Sequence, residues 1–174
     1  MHNVVRSPSE DDADAMGAVH VRAWRAAYSG GLMPDEYLDS LSAQARANMW
    51  RQQLAQPVAD RSARFVVENP AGVVVGFALI GPKGNDSDAD DGELYVINVD
   101  PESWGTGAGP VLHEEAVDAL RDSEFGRAVL WVHPKNHRAR HFYESRGWRA
   151  DDVDRVETVL GVEIVEVRYS LILY

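Results

Sequence analysis

The sequence predicts a mixed α/β fold, a central and mostly antiparallel mixed sheet of about seven strands flanked by about four helices, and three observations predict it. Apolar residues recur at helical spacing in the first third, alternate as in strands through the middle, and return to helical spacing after a run of glycines. That run, Gly105, Gly107 and Gly109, separates an alternating strand from an amphipathic helix. Two β-rich runs joined around Gly161 close the chain. The resulting order is β-α-α-β-β-β-α-β-α-β-β.

Val4 to Arg6 form a short apolar start, and Ser7-Pro8-Ser9-Glu10 has the chemistry of a turn and helix cap. From Asp12 to Tyr28, the residues Met16, Val19, His20, Ala23, Trp24, Ala27 and Tyr28 recur at three and four, on one face of a helix that Gly30-Gly31 ends. Pro34 opens a second helix, with Tyr37, Leu38, Leu41, Ala45, Met49 and Leu54 at helical spacing as far as Pro57. Phe65-Val66-Val67, the turn Asn69-Pro70-Ala71-Gly72 and Val73 to Ile80 read as an antiparallel hairpin. After the polar loop Lys83 to Gly92, Glu93-Leu94-Tyr95-Val96-Ile97-Asn98-Val99 alternates until Asp100-Pro101 blocks continuation, giving the third strand of a meander. The glycines follow, then Val111, Leu112, Ala116, Ala119 and Leu120 in helical register. Ala128 to Val132 is a strand, His137 to Ser145 a helix, and Val153 to Leu160 with Val162 to Leu171 a final strand pair. No repeat and no long linker interrupts this order, so residues 1–174 are expected to form one domain.

Composition narrows the function. At 174 residues and 45% hydrophobic, the chain can bury one sizeable core. No apolar run reaches the ~20 residues of a membrane span, and the acidic amino terminus resembles no signal peptide, so a soluble, cytoplasmic protein is expected. Without cysteine there is no disulfide framework, thiolate zinc site or cysteine nucleophile. A net charge of -11 with two lysines, Lys83 and Lys135, repels polyanions, which argues against nucleic acid and attracts amines.

In Trp104-Gly105-Thr106-Gly107-Ala108-Gly109-Pro110, alternate glycines let several backbone N–H groups converge at the start of a helix, a concavity suited to phosphate or pyrophosphate; an ordinary tight turn is the alternative. A nucleotide P-loop is excluded because Pro110 and Val111, not Lys and Ser/Thr, follow Gly109. A dinucleotide fingerprint is excluded because its third glycine would fall on Pro110 or Leu112.

These residues resemble the GNAT superfamily of N-acetyltransferases over nearly the whole chain. The strand Glu93 to Val99 followed by Trp104 to Gly109 is similar to the family's acetyl-CoA motif Q/R-x-x-G-x-G/A, with Gly107 and Gly109 in the two small-residue places. Leu130-Trp131-Val132, then Asn136, Ala139, Arg140, Phe142-Tyr143-Glu144 and Gly147-Trp148, resemble the family's Asn…Ala-x-x-Phe-Tyr…Gly-Phe/Trp segment. The chain departs from the pattern at Trp104, where Gln or Arg is commoner, at Thr106, often Arg, and at Pro110, which has no N–H. Arg138, Arg140 and Arg146 are the candidates to restore the positive charge that Thr106 removes.

The resemblance implies an enzyme that transfers acetyl from acetyl-CoA to a primary amine by direct attack in a ternary complex, the acceptor being a small molecule or a protein N-terminus. It places Val99, Trp104, Gly105, Thr106, Gly107, Ala108, Gly109, Asn136, Arg140 and Tyr143 at the cofactor. Tyr143 matches the thiolate-protonating tyrosine, and a phenol of pKa near ~10 suits a leaving group of comparable basicity. Glu93 is the candidate base, with Tyr95, two residues on and on the same strand face, in reserve. Trp24 and Tyr28, with His20 four residues earlier, and Tyr95 and Trp131 are the candidate acceptor lining; for the helical residues a core-facing aromatic stripe is the alternative. Many members dimerise, so a homodimer is among the implied states. A catalytically silent acyl-CoA-binding or interaction module on the same fold is the rival reading. No metal is expected: Asp86, Asp88 and Asp90 imitate a calcium loop, but Asp91 and Ile97 stand where it needs Gly and Glu, and His137 with His141 lacks a third ligand.

Overall fold

Strands and helices follow the expected order with one helix more than the spacing predicts. The computed structural model describes residues 2–159 and 161–174. After β1 (Val4–Arg6) come α1 (Ala13–Tyr28), α2 (Asp35–Ser40), α3 (Ala43–Leu54), β2 (Ala63–Glu68), β3 (Val74–Pro82) and β4 (Gly92–Val99). Then follow α4 (Ala108–Asp122), β5 (Arg127–Val132), α5 (His137–Glu144), β6 (Arg149–Val159) and β7 (Val162–Ile172). The single helix expected from Pro34 to Leu54 is two, because Leu41 and Ser42 are extended and the Ser42 hydroxyl caps α3 by accepting from Ala45 N–H at 3.1 Å. Leu160, the expected end of β6, lies outside the described residues.

The strands form one sheet in the order β1-β2-β3-β4-β5-β7-β6, antiparallel at every step except β4–β5. Helices cover both faces. On one, α4 buries Leu112, Ala116 and Leu120 against Ala78, Ile80, Ala128 and Leu130, with Tyr143 of α5 and Trp148 joining them. On the other, α1 and α3 bury Met16, Val19 and Trp50 against Val66 and Phe77. Helices α1 and α3 approach closely at Gly17, where a Cβ would lie 2.5 Å from Ala47 N and 2.6 Å from Ala43 O. A second cluster on the same face joins Val21, Met33, Leu38 and Leu41 to Ile164 of β7, drawing the β6–β7 hairpin toward the end of α1.

Candidate active site

Strand β4 shapes the site. Its ladder with β3 pairs Leu79 with Val96 and Ile80 with Leu94, so Tyr95 is an extra residue without a partner. Such a bulge bends its strand and sharpens the local twist. Strands β4 and β5 then pair only at Gly92 with Ala128 and Glu93 with Val129. Beyond Glu93 they part, and Leu94 to Val99 face Leu130 to Val132 across a cavity of about 970 Å³ that opens through the sheet.

A strand without a neighbour leaves backbone groups free. Asp100 N–H donates to Val75 O at 2.8 Å, toward β3, so by the alternation of an antiparallel ladder the N–H and C=O of Val99 point into the opening. The Val99 carbonyl accepts from Trp104 Nε1 at 3.0 Å, which leaves the N–H as a donor. Beside it, Gly105 and Gly107 hold φ of 76° and 89°, a region costly for any side chain with a Cβ. Gly107 is the N-cap of α4 and has no side-chain cap, so the first-turn N–H groups remain available to an anion at the positive end of the helix. A Cβ on Gly109 would meet the Phe142 ring at 3.4 Å, which keeps the floor of this cradle bare. Thr106 turns away, its hydroxyl donating to Ser103 O at 2.6 Å and its carbonyl accepting from Asn3 Nδ2 at 3.1 Å.

Tyr143 lines the cavity, its ring held by Phe142, Trp148 and Tyr169 at centroid distances of 5.6, 6.2 and 6.5 Å. Burial, and then the neighbouring Tyr28 phenol, raise its pKa well above the ordinary tyrosine value. The phenol therefore stays protonated and has a proton to donate. Asn136 caps α5, accepting from Ala139 N–H at 3.2 Å. Near it the Tyr28 hydroxyl has its pKa pushed up to about 12, by burial first and then by Glu166, with Asn136 acting in the opposite direction.

The far side of the cavity is aromatic and acidic. Trp24 packs against Tyr28 and Tyr37 at 4.9 and 6.3 Å between centroids. Glu157 of β6 and Glu166 of β7 line the same space, with Arg155 between them at 3.5 and 2.8 Å and stacked 4.5 Å over the Trp131 ring. Glu93, buried where the strands part, accepts from Gly84 N–H at 2.8 Å through Oε2. The Tyr95 hydroxyl donates to the Pro82 carbonyl, and its pKa is pushed up to about 12, by burial first and then by Glu93. That hydroxyl is a committed donor and a poor base.

The structure thus brings Glu93, Val99, Trp104, Gly105, Gly107, Gly109, Asn136 and Tyr143 to one cavity, together with Trp24, Tyr28, Tyr95 and Trp131. It does not bring Thr106, Ala108 or Arg140 to that wall. Arg140 is spent on Tyr169 Oη at 2.8 Å and Pro134 O at 2.6 Å. His20 sits behind Trp24, its ring 5.6 Å from the indole, in the aromatic core with Trp50 and Phe77. Sequence reasoning missed the hairpin residues Arg155, Glu157, Ile164 and Glu166. Their alternation was visible, but nothing local says that this hairpin folds back over α1.

Comparison with known proteins agrees with the geometry. Residues 23–148 match the family model described as the acetyltransferase (GNAT) family. The uncharacterised N-acetyltransferase YuaI of Bacillus subtilis (strain 168) is 30% identical over 163 residues, covering 94% of this chain and 89% of its own. Among solved structures, the PaiA N-acetyltransferase of Thermoplasma acidophilum in complex with coenzyme A superposes with a TM-score of 0.68 at 22% identity, covering 95% of this chain and 98% of its own. The yncA protein of Salmonella typhimurium with acetyl-CoA does so with a TM-score of 0.72 at 18% identity, covering 100% and 95%. The chain belongs to the GNAT family of acetyltransferases and is an acyltransferase.

Proposed function

We propose that residues 1–174 act as one domain that transfers the acetyl group of acetyl-CoA to a primary amine, on a small molecule or a protein N-terminus, by direct attack in a ternary complex. The observation that carries this reading is a single cavity with an uncapped, glycine-lined helix start at one end, carboxylates and aromatic rings at the other, and the protonated Tyr143 between them. The bare cradle at Gly105, Gly107 and Gly109 fits a pyrophosphate, and the Val99 N–H is a donor for the acyl carbonyl or the amide of the pantetheine arm. Asn136 and Trp104 border the path between them.

When bound, acetyl-CoA supplies an activated thioester, so that a C–N bond to the amine forms, the C–S bond breaks and sulfur leaves as thiolate. Glu93 takes the proton of the attacking amine, directly or through water. Tyr143 gives its hydroxyl proton to the sulfur; burial keeps the phenol protonated and also makes it a weaker acid than a free tyrosine, so the transfer is driven by the basicity of the departing thiolate beside it. Exchange with solvent then clears Glu93 and restores Tyr143. Trp24, Tyr28, Tyr37 and Trp131 enclose the acceptor, and Glu157 and Glu166, which the single charge of Arg155 offsets only in part, favour one that arrives positively charged.

The test is thiol release from acetyl-CoA with a panel of diamines, amino acids and peptides with free N-termini, alongside coenzyme A calorimetry. The chain has no cysteine, so a thiol reagent reads only the released cofactor. Amine-dependent release supports the enzyme; saturable binding without release on any amine supports the silent module; absence of binding overturns the donor assignment.

A further inference from the structure

The glycine turn carries no cation. Between Ser103 and Pro110 there is neither lysine nor arginine, and Thr106 is tied back to Ser103. A pyrophosphate carries a full negative charge on each phosphate, and a cation beside the N–H groups that cradle it offsets the repulsion from a protein of net charge -11. Of the three arginines near the turn, two are occupied. Arg140 is bonded to Tyr169 and Pro134, as above, and Arg146 lies 3.9 Å over the Phe142 ring while donating to Phe142 O at 3.2 Å.

Arg138 differs. It stands in the first turn of α5 and lines the same cavity as Gly105, Gly107 and Gly109. Its guanidinium lies 4.0 Å from the centroid of the Trp104 ring, and among the described residues it has no ion pair and no hydrogen bond. Lys135, three residues earlier, lines the cavity without an ion pair of its own among the described residues. Trp104 is itself fixed, its Nε1 bonded to Val99 O at 3.0 Å. The end of β4 therefore orients the indole, and the indole orients the guanidinium. Stacking occupies one face of a planar cation and leaves its edge of N–H donors free in the plane, the geometry that grips a phosphate through two parallel bonds. A lysine or a free arginine would have to be ordered on binding; this one is ordered beforehand.

We propose that Arg138, pre-oriented on Trp104 and assisted by Lys135, binds a phosphate of the acyl donor and takes the place of the cation that the glycine turn lacks. Trp104 is a positioning residue in this scheme, which gives a reason for a tryptophan at the head of the turn. The inference rests on the coenzyme A reading of the cavity. The ligand chemistry is a phosphate ester, and coenzyme A offers two sources, the pyrophosphate and the ribose 3′-phosphate.

The experiment is calorimetric titration of the whole chain with coenzyme A and with 3′-dephospho-coenzyme A, at low and high salt, for wild type, Arg138→Gln and Trp104→Leu. Arg138→Gln should weaken coenzyme A roughly tenfold to a hundredfold, the loss expected for hydrogen bonds to a charged group, and should flatten the salt dependence. An equal loss with both ligands assigns Arg138 to the pyrophosphate, and a loss confined to coenzyme A assigns it to the 3′-phosphate. Trp104→Leu should weaken binding while keeping the wild-type salt dependence, because the charge of Arg138 remains and what is lost, its orientation and the Nε1 bond to Val99 O, carries no net charge. The melting temperature of ligand-free Arg138→Gln should stay close to that of wild type, since the exposed side chain has only its stacking on Trp104 to lose, a small contribution at an exposed site, so a lost fold cannot mimic the effect. Binding of both ligands by Arg138→Gln within twofold of wild type would overturn the proposal and leave the coenzyme A reading intact. Failure of wild type to bind either ligand would overturn both.

Discussion

Replacing His113 by glutamine should remove part of the protein's acid sensitivity, and the structure gives the size of the effect. His113 is 6% exposed on the inner face of α4, where its Nε2 accepts from Trp148 Nε1 at 2.9 Å and its ring packs edge-on against Phe142 at 5.6 Å. Only the neutral imidazole can accept that bond. Burial first, and then the positive charges of Arg146 and Arg121, lower its pKa from 6.5 to about 4. The unfolded chain therefore binds a proton near pH 6.5 that the folded chain refuses until about pH 4. Stability is complete above pH 6.5, falls as the pH drops below it, and levels off near pH 4, for a total of about 3 kcal/mol. Between pH 7 and pH 5 the share lost is about 2 kcal/mol. Asp12 and Asp91, whose pKa values are lowered chiefly by Arg6 and Arg127, lose their contributions only below the ordinary carboxylate value of 3.8, outside this window. Urea unfolding at pH 7 and pH 5 measures the difference. His113→Gln, whose side-chain carbonyl can still accept from Trp148, should lose about 2 kcal/mol less than wild type across that interval. Equal losses in the two proteins would refute the assignment of a buried neutral imidazole.

The same experiment on His20→Gln should give a similar reduction, because burial and then Arg46 lower the pKa of His20 to about 4 as well. Tyr143→Phe should lower turnover roughly 10²- to 10⁴-fold in the thiol-release assay while calorimetry shows coenzyme A binding unchanged, since a proton donor is lost and the packing of the ring is kept. Gly17→Ala sets a gain of about 1 kcal/mol in helix propensity against a Cβ pressed onto the backbone of α3. The clash should win, with a net loss of about 1–3 kcal/mol in urea unfolding. Ser42→Ala removes the α3 cap and should cost about 1 kcal/mol by the same measurement.

What could be read from the sequence, and what could not, divides by the range of the interactions involved. The glycine turn was legible because a helix start with alternate glycines is a local device written within about six residues, whereas Tyr143 and Asn136 were reached through the family resemblance of the segment that carries them. The break at Leu41 and Ser42 was also local, but Tyr37, Leu38, Leu41 and Ala45 keep helical spacing across it, so periodicity alone carried the helix through. The parting of β4 from β5 was not legible. Alternation predicts a regular strand from Glu93 to Val99, and the bulge at Tyr95 shows only against the β3 register, since Leu94 and Val96 lie on opposite faces although they are two residues apart. The bulge also explains why the hairpin residues on the far side of the cavity, Arg155, Glu157, Ile164 and Glu166, escaped notice. Once β4 bends away, its missing neighbour is replaced by side chains from α1 and from a hairpin more than 50 residues downstream, where Glu157 and Glu166 meet Trp24 and Tyr28. A cavity built by withholding backbone pairs must be walled by whatever the tertiary fold brings to it. Its chemistry is therefore written in residues that no local pattern connects, and the contrast between the basic rim at Lys135 and Arg138 and the carboxylates at Glu93, Glu157 and Glu166 becomes visible only when the sheet is assembled.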